Sequence, residues 1–404
     1  MTTPAARPIV DEPLPQPQRW GEAELARLTA MVRQNSLFYW KGPQTAALLD
    51  EFHKHYSLKY CFPCSSGSAA LHVAIAALRL KPGDEVIVAP ITDMGSVIGI
   101  LYQQGVPVFA DVDPRTYNLD AADVRRRLTA RTRAIMAIHL AGNPCDLGAL
   151  GALAQERGIA LIEDCAQSWG ARWQGRPVGT VGDLGCYSFN EFKHVSCGDG
   201  GIVGTNNERL GPTLAKWGDK YYDRVSGSRD PEELAPNYRI SEPQSAVAAA
   251  QLTKLADIAA RRHHAGDLLT SLLADLPGVL PPAVAPGDTH TYWFYMLRLE
   301  LGRFGCSREE IVAALTAEGV AAGAGYIPQP MYRYSVFKNH AFFSGTWPVR
   351  DFGLTAMDYR AVSCPAAEAI LTDCVVLRLN EAMSNSYIEK VARAVRTVTQ
   401  RLLR

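Results

Sequence analysis

The segment Cys186-Tyr-Ser-Phe-Asn-Glu-Phe-Lys-His-Val-Ser-Cys-Gly-Asp-Gly-Gly201 places a lysine, Lys193, five residues after the aromatic-flanked Ser188 and just ahead of a glycine-rich turn. A lysine amine kept from water beside an anionic cofactor can lose its proton and form a Schiff base with an aldehyde, which makes Lys193 a candidate nucleophile. Alone it is a weak signal, because most lysines are solvated surface charges. Asp164 closes the apolar run Leu161-Ile-Glu-Asp164, so a carboxylate stands where a sheet meets its ligands and can keep a pyridine nitrogen protonated. The plainer reading is a cap on a helix after that strand. Gln167 either donates to a ring oxygen or pairs with backbone. Upstream, Cys64-Ser-Ser-Gly-Ser-Ala-Ala-Leu71 sets Gly67 and Ser68 at the start of an alanine-rich helix. Its backbone amides make a phosphate cradle, unless Ser66 or Ser68 is merely an N-cap. Phosphate cradle, ring carboxylate and lysine in that chain order form one constellation, that of a pyridoxal phosphate (PLP) site.

Three further residues are weaker pocket candidates. Arg239 follows a loop and precedes a helix, and its planar fork suits a carboxylate or phosphate; a surface salt bridge is the alternative. His139, at the end of an apolar strand, and Tyr326, in Gly325-Tyr-Ile-Pro, either face the pocket or simply pack. Cys61 and Cys64 form a lone Cys-x-x-Cys with no second pair at zinc spacing, so no metal is expected.

Positioning these groups requires alternating strands and helices. Apolar spacing predicts helices over 22–33, 43–56 and 68–80. Strands at 85–89, 107–111, 134–139 and 160–164 then alternate with helices at 121–128 and 147–158. Continuous apolar strands between helices imply a mainly parallel sheet covered on both faces. The stretch 217–236 reads as a surface loop and 241–264 as one long helix. A strand at 292–299, a helix at 307–318 with Ser307 and Glu310 at capping-box spacing, and an amphipathic helix at 387–403 suggest a smaller α+β domain. The expected organisation is a flexible proline-rich arm over 1–19, a large domain over 20–264 and a small C-terminal domain over 265–404.

The 404 residues carry 41 Lys plus Arg against 41 Asp plus Glu. This zero net charge provides no field for nucleic acid or anionic lipid. No run of eighteen apolar residues suggests a membrane span, and the acidic, proline-bearing start does not read as a secretory signal. Nine scattered cysteines suit reduced thiols in the cytoplasm.

The runs Ser65-Ser-Gly-Ser-Ala-Ala-Leu71, Gly83-Asp-Glu-Val-Ile-Val88, Ile162-Glu-Asp-Cys-Ala-Gln167, Ser188-Phe with Lys193 and Gly198-Asp-Gly-Gly201, and Asn237-Tyr-Arg-Ile-Ser-Glu242 together resemble the StrS/DegT family of PLP-dependent sugar aminotransferases. The likeness runs from about residue 20 to the C-terminus. It implies an α/β, fold-type I architecture with a central seven-stranded sheet, a smaller C-terminal domain, and a homodimer whose active sites lie at the subunit interface. It further implies that Lys193 bonds the cofactor, Asp164 pairs with the ring nitrogen, Gln167 contacts the ring hydroxyl, and Gly67, Ser68 and Ser188 hold the phosphate. Asn237 and Arg239 would complete the neighbouring subunit's site. The implied activity is amino transfer from glutamate or glutamine to a keto sugar or keto cyclitol.

The chain departs from the family in two places. Pro90-Ile-Thr-Asp-Met-Gly95 sets Asp93 where relatives carry an aromatic that stacks on the cofactor. Either Met94 or Trp169 then covers the ring, or Asp93 faces the substrate and pairs with an amine or hydroxyl. Leu377-Arg-Leu-Asn-Glu381 replaces a segment with Pro and His, which suggests an altered pocket wall. PLP-dependent elimination is the second reading, although relatives that dehydrate keto-deoxy sugars tend to carry His in place of the lysine. A PLP-binding regulator is the third, and no basic arm or helix-turn-helix supports it.

Overall fold

The protein, described by a computed structural model over residues 7–404, is built on a seven-stranded sheet. Its strands in chain order are β1 (Tyr60–Cys64), β2 (Glu85–Val88), β3 (Val106–Phe109), β4 (Thr132–Ile138), β5 (Ala160–Asp164), β6 (Leu184–Ser188) and β7 (Gly201–Thr205). Their order across the sheet is β1-β7-β6-β5-β4-β2-β3. Only β7 runs against its neighbours. Val86, Ile87, Val88, Ile135, Met136 and Ile162 are all fully buried. Such unbroken apolar runs need cover on both faces, and flanking helices supply it. The helices Glu22–Val32, Pro43–His55, Gly67–Ala77, Ala121–Arg127 and Leu147–Arg157 stand close to where the apolar spacing puts them.

Three strands of this sheet lie where no strand was expected. β1, β6 and β7 contain Pro63, Gly185, Gly201 and Gly204, which erase the usual strand pattern. Gly201 has a packing reason: a Cβ there would meet the Ser66 carbonyl at 2.4 Å, so β7 can press against the turn that opens the helix Gly67–Ala77. The expected long helix over 241–264 is instead two, Glu242–Leu252 and Leu255–Leu273. They meet where Thr253 Oγ1 donates back to Ala250 O and Lys254 donates to Glu24. The expected domain boundary after residue 264 therefore falls inside a continuous helix.

A second, antiparallel sheet comprises β8 (Val279–Leu280), β9 (Tyr295–Leu299), β10 (Ala322–Gly323) and β11 (Cys374–Leu377), ordered β8-β9-β11-β10. Its core joins Leu269, Leu273, Ile311 and Leu315 to Ile388, Val395 and Val398 of the helix Asn385–Leu402. Between β10 and β11 the chain returns to the large core. There Phe109 meets Tyr332, Phe337 and Tyr359 at ring-centroid distances of 5.7, 5.5 and 5.9 Å. The small core is thus narrower than residues 265–404. Nor is the described part of the N-terminal arm free. Val10 is buried in the small core and its N–H donates to Glu318 O at 2.9 Å, Lys390 pairs with Asp11 and Glu12, and Asn380 Nδ2 donates to Pro15 O at 2.9 Å. Residues 1–6 lie outside the described residues.

Phe109→Ala should remove the centre of the aromatic cluster and lower the unfolding free energy by about 3–5 kcal/mol, read as a shift of the urea midpoint. An unchanged midpoint would show that residues 331–361 do not stabilise the large core.

Candidate active site

The C-terminal ends of β1, β5 and β6 open on one cavity of ≈ 350 Å³. Its wall brings together Gly67, Ser68, Asp93, Asp164, Gln167, Ser188, Lys193 and Tyr326, joined by Thr92, Ser96, Asn190, Asp199 and Trp293. The parallel strands account for the convergence, since successive parallel strands aim their ends at the same edge. Asp164 ends β5 in register with Cys186 of β6 and Ile138 of β4.

Asp164 is buried, and burial raises its pKa. Two hydrogen bonds oppose that shift. The Ala166 N–H donates to Oδ1 at 3.0 Å and the Ser96 hydroxyl to Oδ2 at 2.8 Å, with the Lys193 charge acting in the same sense. No helix follows β5 directly, so helix capping does not account for this residue. Lys193 lies in the loop between β6 and β7, its Nζ 3.7 Å from the centroid of the Trp293 ring. Burial pulls its pKa down from 10.5 to about 8, against the attraction of Asp164 and Asp93. The Arg19 guanidinium donates to the carbonyls of Glu191 and Lys193 and fixes the backbone under the amine.

The cradle is built for close approach. A Cβ on Gly67 would stand 2.6 Å from Ser188 Cβ and 2.8 Å from its Oγ. Ser66 is the N-cap, its Oγ accepting from Ala69 N–H at 3.1 Å. This leaves the amides of Gly67 and Ser68 in the first helical turn, without intrahelical partners, at the cavity wall.

Other expected residues stand differently. Gln167 Oε1 accepts from Ala141 N–H at 2.8 Å and its Nε2 donates to the Tyr326 hydroxyl at 3.2 Å, so backbone pairing and a wall position coexist. His139 is not a wall residue. Fully buried, it accepts the Cys145 N–H on Nδ1 at 3.0 Å, which leaves Nε2 to donate to Glu163 at 3.1 Å. Glu163 also accepts from the amides of Gly179, Val181 and Gly182, so the pair pins a loop. Arg239 and Asn237 do not reach this chain's cavity. Arg239 pairs with Asp219 at 3.1 Å, and Asn237 is exposed and bridges to Asp219. Asp93 is exposed on the wall, with Oδ1 accepting the Gly95 N–H at 2.8 Å. Neither Trp169, fully buried with its indole donating to Ser188 O, nor Met94 lines the cavity beside it. The segment 377–381 is likewise off the wall. Its Glu381 holds the buried Arg262 at 2.8 Å, and Arg262 also donates to the Trp293 carbonyl at 3.2 Å.

Sequence reasoning missed Ser96, Trp293 and Arg19. Ser96 sits four residues past Thr92, in the first turn of the helix Gly95–Tyr102, and bonds to the Thr92 hydroxyl at 2.7 Å; that hydroxyl pair was the one available signal. Trp293 was hidden inside an expected strand that begins only at Tyr295.

A sequence profile of the DegT/DnrJ/EryC1/StrS aminotransferase family matches residues 18–396. The chain belongs to that family. It is 31% identical, over 91% of its length and 88% of the relative's, to a Micromonospora echinospora protein named as an L-glutamine:3-amino-2,3-dideoxy-scyllo-inosose aminotransferase. It is 32% identical to a UDP-N-acetyl-3-dehydro-alpha-D-glucosamine 3-aminotransferase of Acidithiobacillus ferrooxidans, over 88% of each chain. The X-ray structure of the aminotransferase from Psychrobacter cryohalolentis superposes with a TM-score of 0.86 at 26% identity, covering 96% of this chain and 100% of that one. The protein is thus a PLP-dependent aminotransferase of fold-type I, and the family fits action on keto sugars. The residues present suit the cofactor: a cradle only glycine can line, a buried carboxylate and an amine of lowered basicity share one cavity.

Because folding depresses the Lys193 pKa, its contribution to stability is full above pH 10.5 and is lost as pH falls through about 8. In the aminotransferase freed of cofactor, the pH midpoint for acylation of Lys193, followed by peptide mass spectrometry, should lie near 8. Asp164→Asn removes an attracting charge and should lower that midpoint; a rise would contradict the assigned electrostatics.

Proposed function

We propose that the protein transfers an amino group from glutamate or glutamine to a keto sugar or keto cyclitol, in the biosynthesis of a secondary metabolite or a cell-surface sugar. The observation that supports this most is the placing of the Lys193 amine and the Asp164 carboxylate on one cavity wall beside the Gly67 cradle. Pyridoxal phosphate supplies an aldehyde that bonds amines and a ring that withdraws electrons. Lys193 Nζ would hold the cofactor and then take a proton from the donor carbon bearing the amine and pass it to the carbon that was the cofactor's aldehyde, a task suited to a pKa near working pH. Asp164, steadied by Ser96 and Ala166, holds a proton on the ring nitrogen. The amides of Gly67 and Ser68, with the Ser188 hydroxyl, bind the phosphate, and Gln167 contacts the ring hydroxyl.

Asp93 and Tyr326 face the acceptor. The Micromonospora relative is named for an amino-bearing inosose, and an exposed carboxylate such as Asp93 can pair with an amine or hydroxyl of such a ring. We further propose a homodimer in which Asn237 and Arg239 complete the neighbouring site. Both lie outside their own chain's cavity, and Arg239 lies over the ring of exposed Phe38. The nine cysteines are unpaired, which suits a cytoplasmic enzyme, and no helix among the described residues is long and apolar enough to cross a membrane.

Lys193→Ala should abolish both turnover and the cofactor's lysine-dependent visible band, assayed with glutamate and glutamine against a panel of keto sugars and inososes. Normal turnover would overturn the assignment. If no amino donor converts the cofactor of the wild-type enzyme to its aminated form, elimination replaces transfer. For the shared site, Arg239→Ala should be inactive alone. Co-expression with Lys193→Ala should restore roughly a quarter of the wild-type activity, because half the dimers are mixed and each has one intact site. No recovery would place Arg239 outside the partner's site.

A further inference from the structure

The indole of Trp293 is fastened from several sides. Its backbone N–H donates to Ala141 O at 2.7 Å, its carbonyl accepts from buried Arg262 at 3.2 Å, and its Nε1–H donates to Phe192 O at 2.6 Å. Tyr326 meets it edge-on, with 6.0 Å between centroids at 77°. One face remains for the cavity, and Lys193 Nζ lies over it at 3.7 Å. Phe192 precedes Lys193, so the ring is tied to the same loop that carries the amine it faces.

We infer that Trp293 is the resting platform of the Lys193 amine whenever that amine is not bonded to the cofactor, a positioning residue for the proton transfers of the reaction. The inference rests on the function proposed above. The lysine stem is long and flexible, and Asp164, Asp93 and Asp199 share the wall. An amine free to swing would settle in an ion pair with one of them and hold its proton. An indole face attracts an ammonium through its quadrupole yet can neither give nor take a proton. The amine therefore stays in place and stays able to exchange. The other titratable groups near the loop do not displace it. His194 points its Nε2 to Thr291 O, Arg19 grips the backbone carbonyls, and Arg262 is spent on Glu381 and on carbonyls.

The test uses holoenzyme variants Trp293→Leu and Trp293→Phe. In single turnovers with saturating glutamate, and separately glutamine, Trp293→Leu should slow conversion of the cofactor to its aminated form roughly 10-fold. The donor KM should change by less than about twofold, and Trp293→Phe should recover part of the rate. On protein loaded directly with pyridoxamine phosphate, where Lys193 is free, the pH midpoint for its trinitrophenylation should fall in Trp293→Leu and return part-way in Trp293→Phe. An unmoved rate and midpoint overturn the inference. Equal losses in both variants with an unmoved midpoint show packing alone and overturn it too. Should wild-type enzyme respond to neither donor, the functional reading fails by itself, while the labelling arm still decides whether the indole holds the amine.

Discussion

A buried carboxylate and a partly buried amine across one cavity set each other's charge, and much of the molecule is arranged around that pair. Burial pushes the pKa of Asp164 up and that of Lys193 down. Each is checked by the other and by local donors, Ser96 and Ala166 on the acid. The balance leaves both groups with shifted pKa values, the acid's raised and the amine's lowered. Neither group would have that property on the surface, where water screens the coupling.

The fold supplies this balance through the direction of its strands. β5 and β6 run parallel, so the carboxylate at the end of one and the loop after the other emerge at the same edge. The antiparallel β7 brings the chain back past the phosphate turn at a distance only glycine permits. The small domain contributes from behind, since Glu381 holds Arg262 and Arg262 holds Trp293. Glu381, at the end of the segment 377–381, is therefore part of the scaffold beneath the wall.

Much of this was legible in the sequence where chemistry and periodicity agree. Ala160–Asp164 is a plain apolar strand with an acid at its end, and Lys193 is framed by a serine and glycines, so both could be assigned from chain order. β6 and β7 escaped notice because the glycines their packing demands are poor strand formers. For His139, pocket and packing stayed open because a place at a strand end does not say which way the ring turns; its ring nitrogens serve Cys145 and Glu163. Arg19 and Trp293 come from distant segments and carry no spacing signal, Ser96 offers only its hydroxyl pairing with Thr92, and tertiary contact shows what all three touch.

The docked N-terminal segment has a mechanical meaning. Residues 10–15 are pinned to the small domain through Glu318, Asn380 and Lys390, while Arg19, a few residues later, grips the peptide at Lys193 and has its own carbonyl held by Gln251 and Lys254. This short tether spans from the periphery to the reactive nitrogen. A displacement of the C-terminal core would load this tether, so the position of the Lys193 backbone depends on where that core sits.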